Sequence, residues 1–225
     1  MAETLIPEVD DGEITGWTGK KDAHRGETVR HDANTCFLVR GDLEVLLARR
    51  SSGEREDVSG KRIGGGQWEG VSTHLHRRDV ERYGVDPEDL HGVNRRMIEL
   101  HTVSVVERIE RELDVELVPG LEKKIEENSL KGIIDEIRSV VDVSHLGSFT
   151  YSMDREKDGE WSEDELCRVF TLRADPEPSM TEEVMNLRWE DAGELDREEM
   201  RSPEYADWAA EAFKKLEKNP EQVRR

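Results

Sequence analysis

Two apolar periodicities run through this chain, and together they limit what it can fold into. From about Asn94 to Leu113 the residues Met97, Ile98, Val105, Val106, Ile109 and Leu113 recur at the spacing of one helix face. A second stripe, Ile125, Leu130, Ile133, Ile134 and Ile137, predicts a helix from about Leu121 to Val141. Short strand-like runs surround these helices. Cys36–Arg40, the turn Gly41-Asp42 and Leu43–Arg49 read as a β-hairpin. Residues 68–76 read as a short strand with two outward histidines, and 146–153 and 164–173 as two more strands. The stretch from Ser202 to Leu216 reads as a last helix, with Ser202-Pro203 as its N-cap and first turn. Residues 1–20 are polar and marked by turn signals, 51–67 form a loop, and the charged tail to Arg225 is expected to fray. There is no strict βαβ alternation and no internal repeat, so the expected class is α/β in the wider α+β sense: an αβα sandwich around a mixed sheet. The 225 residues fit one domain spanning 1–225.

The charge balance excludes several partners. There are 53 acidic residues against 33 basic ones, and the formal net charge is −20. Such a field repels nucleic acid and anionic membranes. It also works against compactness unless salt screens it. Arg outnumbers Lys by 23 to 10. An acidic, solvated, Arg-rich surface is the pattern expected of an extreme halophile, with a mesophilic protein using charge for solubility as the alternative. No apolar run approaches the ~18 residues of a membrane-spanning helix. Met1–Pro7 lacks a basic region followed by an apolar stretch, so a cytoplasmic protein without a signal peptide is expected. Cys36 and Cys167 lie in apolar runs, as buried free thiols do in a reducing compartment.

Histidines and carboxylates form a recognisable series. His24 and His31 are seven residues apart, His76 follows, and Glu163 and Glu165 close the set. In Glu163-Asp164-Glu165 the alternation of a strand puts both Glu side chains on one face. Three imidazoles and two carboxylates suffice for one ion in near-octahedral geometry, with Mg²⁺, Mn²⁺ or Zn²⁺ as candidates.

The order and context of these residues resemble type 1 isopentenyl-diphosphate isomerase, a family of the Nudix superfamily. The likeness runs along nearly the whole chain. It starts in Lys20-Lys21-Asp22-Ala23-His24, where the family has a diphosphate-binding Lys four residues before its first metal histidine, and continues to His31. By the same resemblance Arg50, Lys61 and Arg108 bind the diphosphate. A full Nudix box reads Arg-Glu-x-x-Glu-Glu-x-Gly. Glu107–Val115 keeps one box carboxylate in register, Glu112, which the resemblance makes a ligand of a second Mg²⁺. Phe149-Thr150-Tyr151 resembles the segment of the family's catalytic Tyr, and Glu163–Phe170 the strand of its last two metal ligands. Glu182–Trp189 matches a further family segment.

The departures are specific. The family's Trp-centred segment ends in Ser-Val-Cys-Gly-His-Pro. Laid on Ser72–Arg77, it makes His76 the metal ligand and puts His74 in place of the catalytic cysteine. The family's catalytic Trp follows a Ser-Pro pair; here Ser202-Pro203 leads to Glu204-Tyr205, with Trp208 further on. Insertions near 78–95 and 118–141 are absent from compact isomerases and could reshape the pocket or build a homodimer interface. The implied function is a double-bond shift in isopentenyl diphosphate or a related prenyl diphosphate. Glu165, Tyr151 and His74 then serve as the proton-handling groups. The alternative is a Nudix hydrolase that cleaves a diphosphate bond in a nucleotide or prenyl substrate with metal-activated water. A diphosphate-binding protein without activity stays open as a third reading.

Overall fold

The computed structural model describes residues 4–24, 29–51, 66–90, 94–153, 163–202 and 204–223. The chain opens with a hairpin, β1 (Leu5–Asp10) and β2 (Glu13–Gly19), where turns alone were expected. Its connection is Asp11-Gly12, both at positive φ (47° and 84°), the backbone that two-residue hairpin turns require. Ile6, Val9 and Ile14 are buried, but the Pro, Gly and Thr residues of the hairpin blur the alternation in the sequence. A single-turn helix α1 (Lys20–Ala23) follows.

The expected hairpin forms as β3 (His31–Arg40) and β4 (Glu44–Arg50). β3 is the buried centre of the sheet. It pairs in parallel with β8 (Glu163–Arg173), and antiparallel with β1, with β4 and with β6 (Val71–Thr73). β7 (Asp142–Met153) lies outside β8, β9 (Val184–Asp191) pairs with β4, and so does the two-residue β5 (Trp68–Glu69). The strand expected over 68–76 is thus cut in two at Gly70. A Cβ there would stand 2.8 Å from Cys36 O and 2.9 Å from Thr35 Oγ1, so the backbone crosses β3 where only glycine fits.

Helices cover both faces. Alternate residues of β3 divide between two apolar clusters. Cys36 and Leu38 join one that contains α2 (Arg77–Arg82), α3 (Asn94–Leu113), α4 (Leu121–Glu127) and α5 (Leu130–Val140). Phe37 and Val39 join the other, filled by Ala209, Ala212, Phe213 and Leu216 of α6 (Ala209–Lys218). Fully burying side chains of this size contributes about 1.5–3 kcal/mol each, which is what holds the three layers together.

Two helices differ from expectation. The one expected over 121–141 breaks at Asn128-Ser129, because Ser129 turns extended and its Oγ accepts from Gly132 N, capping a new helix. The last helix starts at Ala209, not at Ser202. The backbone before it is taken by β5: Trp68 N donates to Glu204 O and Ala206 N to Trp68 O. The chain then continues to α7 (Pro220–Val223), where a frayed tail was expected. Among the described residues no helix is long and apolar enough to cross a membrane.

Candidate metal centre

Four side chains converge beside the parallel pair β3–β8. His24 caps the C-terminus of α1, His31 begins β3, His74 follows β6, and Glu165 sits near the start of β8. Each offers one ligand atom, and the four atoms lie within 4.8 Å of one another. Register brings two of them together, since His31 and Glu165 are direct partners across β3–β8. The three imidazoles form a triangle with centroid separations of 4.5, 5.3 and 5.6 Å. His24 Nδ1 lies 2.5 Å from Lys20 O and His31 Nδ1 3.0 Å from Val29 O. Backbone carbonyls therefore take the Nδ1 protons and leave the Nε2 lone pairs for a cation.

The electrostatics favour neutral ligands around one carboxylate. Burial lowers His24 to about 4, helped by the neighbouring His31. Burial likewise drives His74 well below the ordinary histidine value, with Lys20 adding to the effect. For His31 burial acts downward too, but the hydrogen bond and charge of Glu165 prevail and raise it. Burial alone would raise Glu165, yet His31 and His74 hold it far below the usual carboxylate range. Two imidazoles held neutral by burial, a third whose protonated form Glu165 favours, and an ionised carboxylate make a donor set that suits a divalent transition-metal ion.

The cluster differs from the expected ligand set at one histidine. His76 does not join the group; its Nδ1 lies 3.2 Å from Asp79 Oδ2 at the N-terminus of α2, and His74 takes the place beside Glu165, Nε2 to Oε1 3.2 Å. Neither histidine is an outward strand residue: His74 is buried, and both follow the end of β6. Glu163 shares the face of Glu165 and lines the same cavity, but its carboxylate is not one of the four converging groups. Ser72 lines the cavity, with its Oγ 3.0 Å from Thr35 Oγ1.

The cavity over the cluster is small, about 20 Å³, room for roughly one water. Its wall includes Arg50, Cys167 and Trp208. Tyr151 stands opposite Glu165 across β7–β8 and meets Trp208 edge-on, ring centroids 6.0 Å apart. Lys20 is near enough to depress two of the imidazoles. Lys61 lies outside the described residues.

A second charged group stands at the end of α3. Arg108 Nη2 contacts Glu112, one turn on, and Glu183 Oε2 at 2.5 Å. Arg50 pairs with Glu69 at 2.6 Å. Burial, together with a hydrogen bond to Glu183, pushes the Glu112 carboxyl up to about 9, against the pull of Arg50. Glu112 thus belongs with the arginines and not with the histidines.

Comparison with solved structures decides the fold. A Nudix hydrolase of Alicyclobacillus acidocaldarius superposes with a TM-score of 0.51, at 15 % identity, over 87 % of this chain and 94 % of that one. The chain has the Nudix fold. A Deinococcus radiodurans protein matches with a TM-score of 0.54 and 17 % identity, over 94 % and 98 % of the two chains. No protein-family model matches the sequence. In sequence the chain is 33 % identical over 96 residues to the isopentenyl-diphosphate Delta-isomerase of Halobacterium salinarum. That match covers 38 % of this chain and spans 42 % of the relative's length.

Within this Nudix fold, sequence reasoning missed Ser72 as a cavity-lining residue and Glu183 as a member of the charged group. Glu183 stood in a segment already noted for its family likeness, so that signal was present. Trp208, already noted beyond the family's Trp position, lines the cavity just after the pairing of residues 204–206 with Trp68.

Proposed function

We propose that this chain is a divalent-metal-dependent enzyme that shifts the double bond of isopentenyl diphosphate or a related short prenyl diphosphate. The carrying observation is the company of the His24, His31, His74 and Glu165 cluster: Tyr151 beside Glu165, and Trp208 in the cavity wall. Moving a double bond by protonation creates positive charge on carbon, and an indole face is the best side-chain neighbour for it. Glu165 and Tyr151 form the proton-handling pair, and Lys20, Arg50 and Arg108 neutralise the diphosphate. The partial match to the Halobacterium isomerase supports the same reading.

The donor sets divide the cofactors. Three imidazoles and a carboxylate suit Zn²⁺ or Mn²⁺, which would fix the position of Glu165 and polarise groups bound beside it. Glu112, with the carboxylates of Glu69 and Glu183 near it, offers oxygen ligands of the kind that suit Mg²⁺ arriving with the diphosphate.

One observation favours the second reading, a Nudix hydrolase. The residue laid on the family's thiol, His74, lies against Glu165 and the other two imidazoles, and a hydrolase that uses metal-activated water needs no thiol. The Cys167 thiol that lines the cavity is pushed well above its ordinary value by burial, so it does not replace the lost group.

The test is an assay at high salt with Mg²⁺ and Mn²⁺, feeding isopentenyl diphosphate and following dimethylallyl diphosphate and released phosphate together. Allylic product is expected. Phosphate release without allylic product would transfer the chain to the hydrolase reading.

A further inference from the structure

Arg108 is held from two directions, and the second hold has no counterpart among the roles assigned above. Its Nη2 contacts Glu112 from its own helix and Glu183, at 2.5 Å, from the start of the segment leading into β9. Glu183 also lies 3.7 Å from Arg111 Nε.

The backbone of Glu183 is fixed as firmly as its side chain. Its carbonyl accepts from Ser51 N at 2.9 Å, just past Arg50 at the end of β4. Its N–H donates to Thr181 Oγ1 at 3.2 Å, and that hydroxyl donates to Glu112 O at 2.8 Å. One threonine therefore ties residue 183 to residue 112, and one backbone bond ties it to the strand that carries Arg50. Glu183 sits where the two arginine-bearing elements meet.

We infer that Glu183 is a positioning residue of the diphosphate subsite, an inference that rests on the reading of Arg108 as a diphosphate ligand. A free arginine side chain carries rotamer entropy that a ligand must overcome when it orders the guanidinium. Here Glu112 and Glu183 both take Nη2 and order the fork in advance. Both contacts fall on Nη2, so neither carboxylate takes the other donors of the fork. Glu183 is not in contact with the reacting carbon skeleton, so its effect is on diphosphate affinity.

The experiment is calorimetric titration of the full chain with inorganic pyrophosphate in the presence of Mg²⁺ at high salt. It compares wild type, Glu183→Ala, Glu183→Gln, Arg108→Ala and the Glu183→Ala/Arg108→Ala double variant, with unfolding midpoints recorded for each. Glu183→Ala is expected to weaken binding about tenfold, and Glu183→Gln, which keeps an amide oxygen, less. The double variant should bind no more weakly than Arg108→Ala alone, because Glu183 acts through Arg108. Unchanged or tighter binding in Glu183→Ala would overturn the inference, as would losses that simply add. If wild type and Arg108→Ala titrate alike, or wild type takes no pyrophosphate, the diphosphate reading of Arg108 itself falls.

Discussion

Glu165 and His74, ninety-one residues apart in sequence, meet with Oε1 3.2 Å from Nε2. That contact sets the assignment of the site. It seats His74 among the clustered side chains, while His76 pairs with Asp79 at the start of α2. It also means that the acid-side carboxylate and the metal ligands form one electrostatic unit.

The first consequence is a pH dependence. His24 is held at about 4 by burial, below its ordinary 6.5. Its contribution to stability is therefore fully present above pH about 6.5 and is lost as pH falls toward 4, on the order of 3 kcal/mol. Glu112, pushed up to about 9, has the opposite slope and lowers stability as pH rises between about 4.5 and 9. Metal-free wild type and His24→Asn, compared by urea unfolding at pH 7 and 4.5, separate the two effects. The wild type should lose more stability on acidification than the variant; equal losses would contradict the assignment.

Gly70 is expected to tolerate no side chain. A Cβ would meet a backbone carbonyl at 2.8 Å, and the carbonyl of Cys36 belongs to the central strand. Gly70→Ala should cost about 1–3 kcal/mol, the range for overpacking a rigid interior. A thermal midpoint within a degree of wild type would show that β5 and β6 can move apart.

The net charge of −20 predicts stabilisation by salt. Between 0.1 and 2 M KCl the Debye length falls from about 10 Å to under 3 Å, and self-repulsion of the surface falls with it. The thermal midpoint should rise steadily over that range. A midpoint that ignores KCl would place the chain among acidic proteins that use charge for solubility alone.

Trp208 should matter to turnover more than to metal binding. It lines the cavity and packs edge-on against Tyr151 without belonging to the ligand group. Trp208→Ala is expected to lower kcat on isopentenyl diphosphate at least tenfold while metal affinity stays within about twofold. An equal loss in both would make Trp208 a structural support of the cluster.

The parts of the fold that the sequence makes legible are those with long, clean periodicity: β3, β4, β8 and α3. The β1–β2 hairpin is hidden because Thr, Gly and Pro dilute a short alternation, and the break at Ser129 because a local cap competes with an otherwise continuous apolar stripe. At the site, His24, His31 and Glu165 can be found from spacing. His74 and His76 cannot be told apart that way, since two residues is one strand period and both positions read alike. Packing against Glu165 separates them, and that is a tertiary fact.

The most direct test is a Zn²⁺ and Mn²⁺ titration against a competing chelator, with wild type, His74→Ala and His76→Ala side by side. Loss of a buried imidazole ligand should weaken binding on the order of 100-fold in His74→Ala, while His76→Ala stays near wild type. The reverse pattern would return His76 to the metal and contradict the cluster of His24, His31, His74 and Glu165.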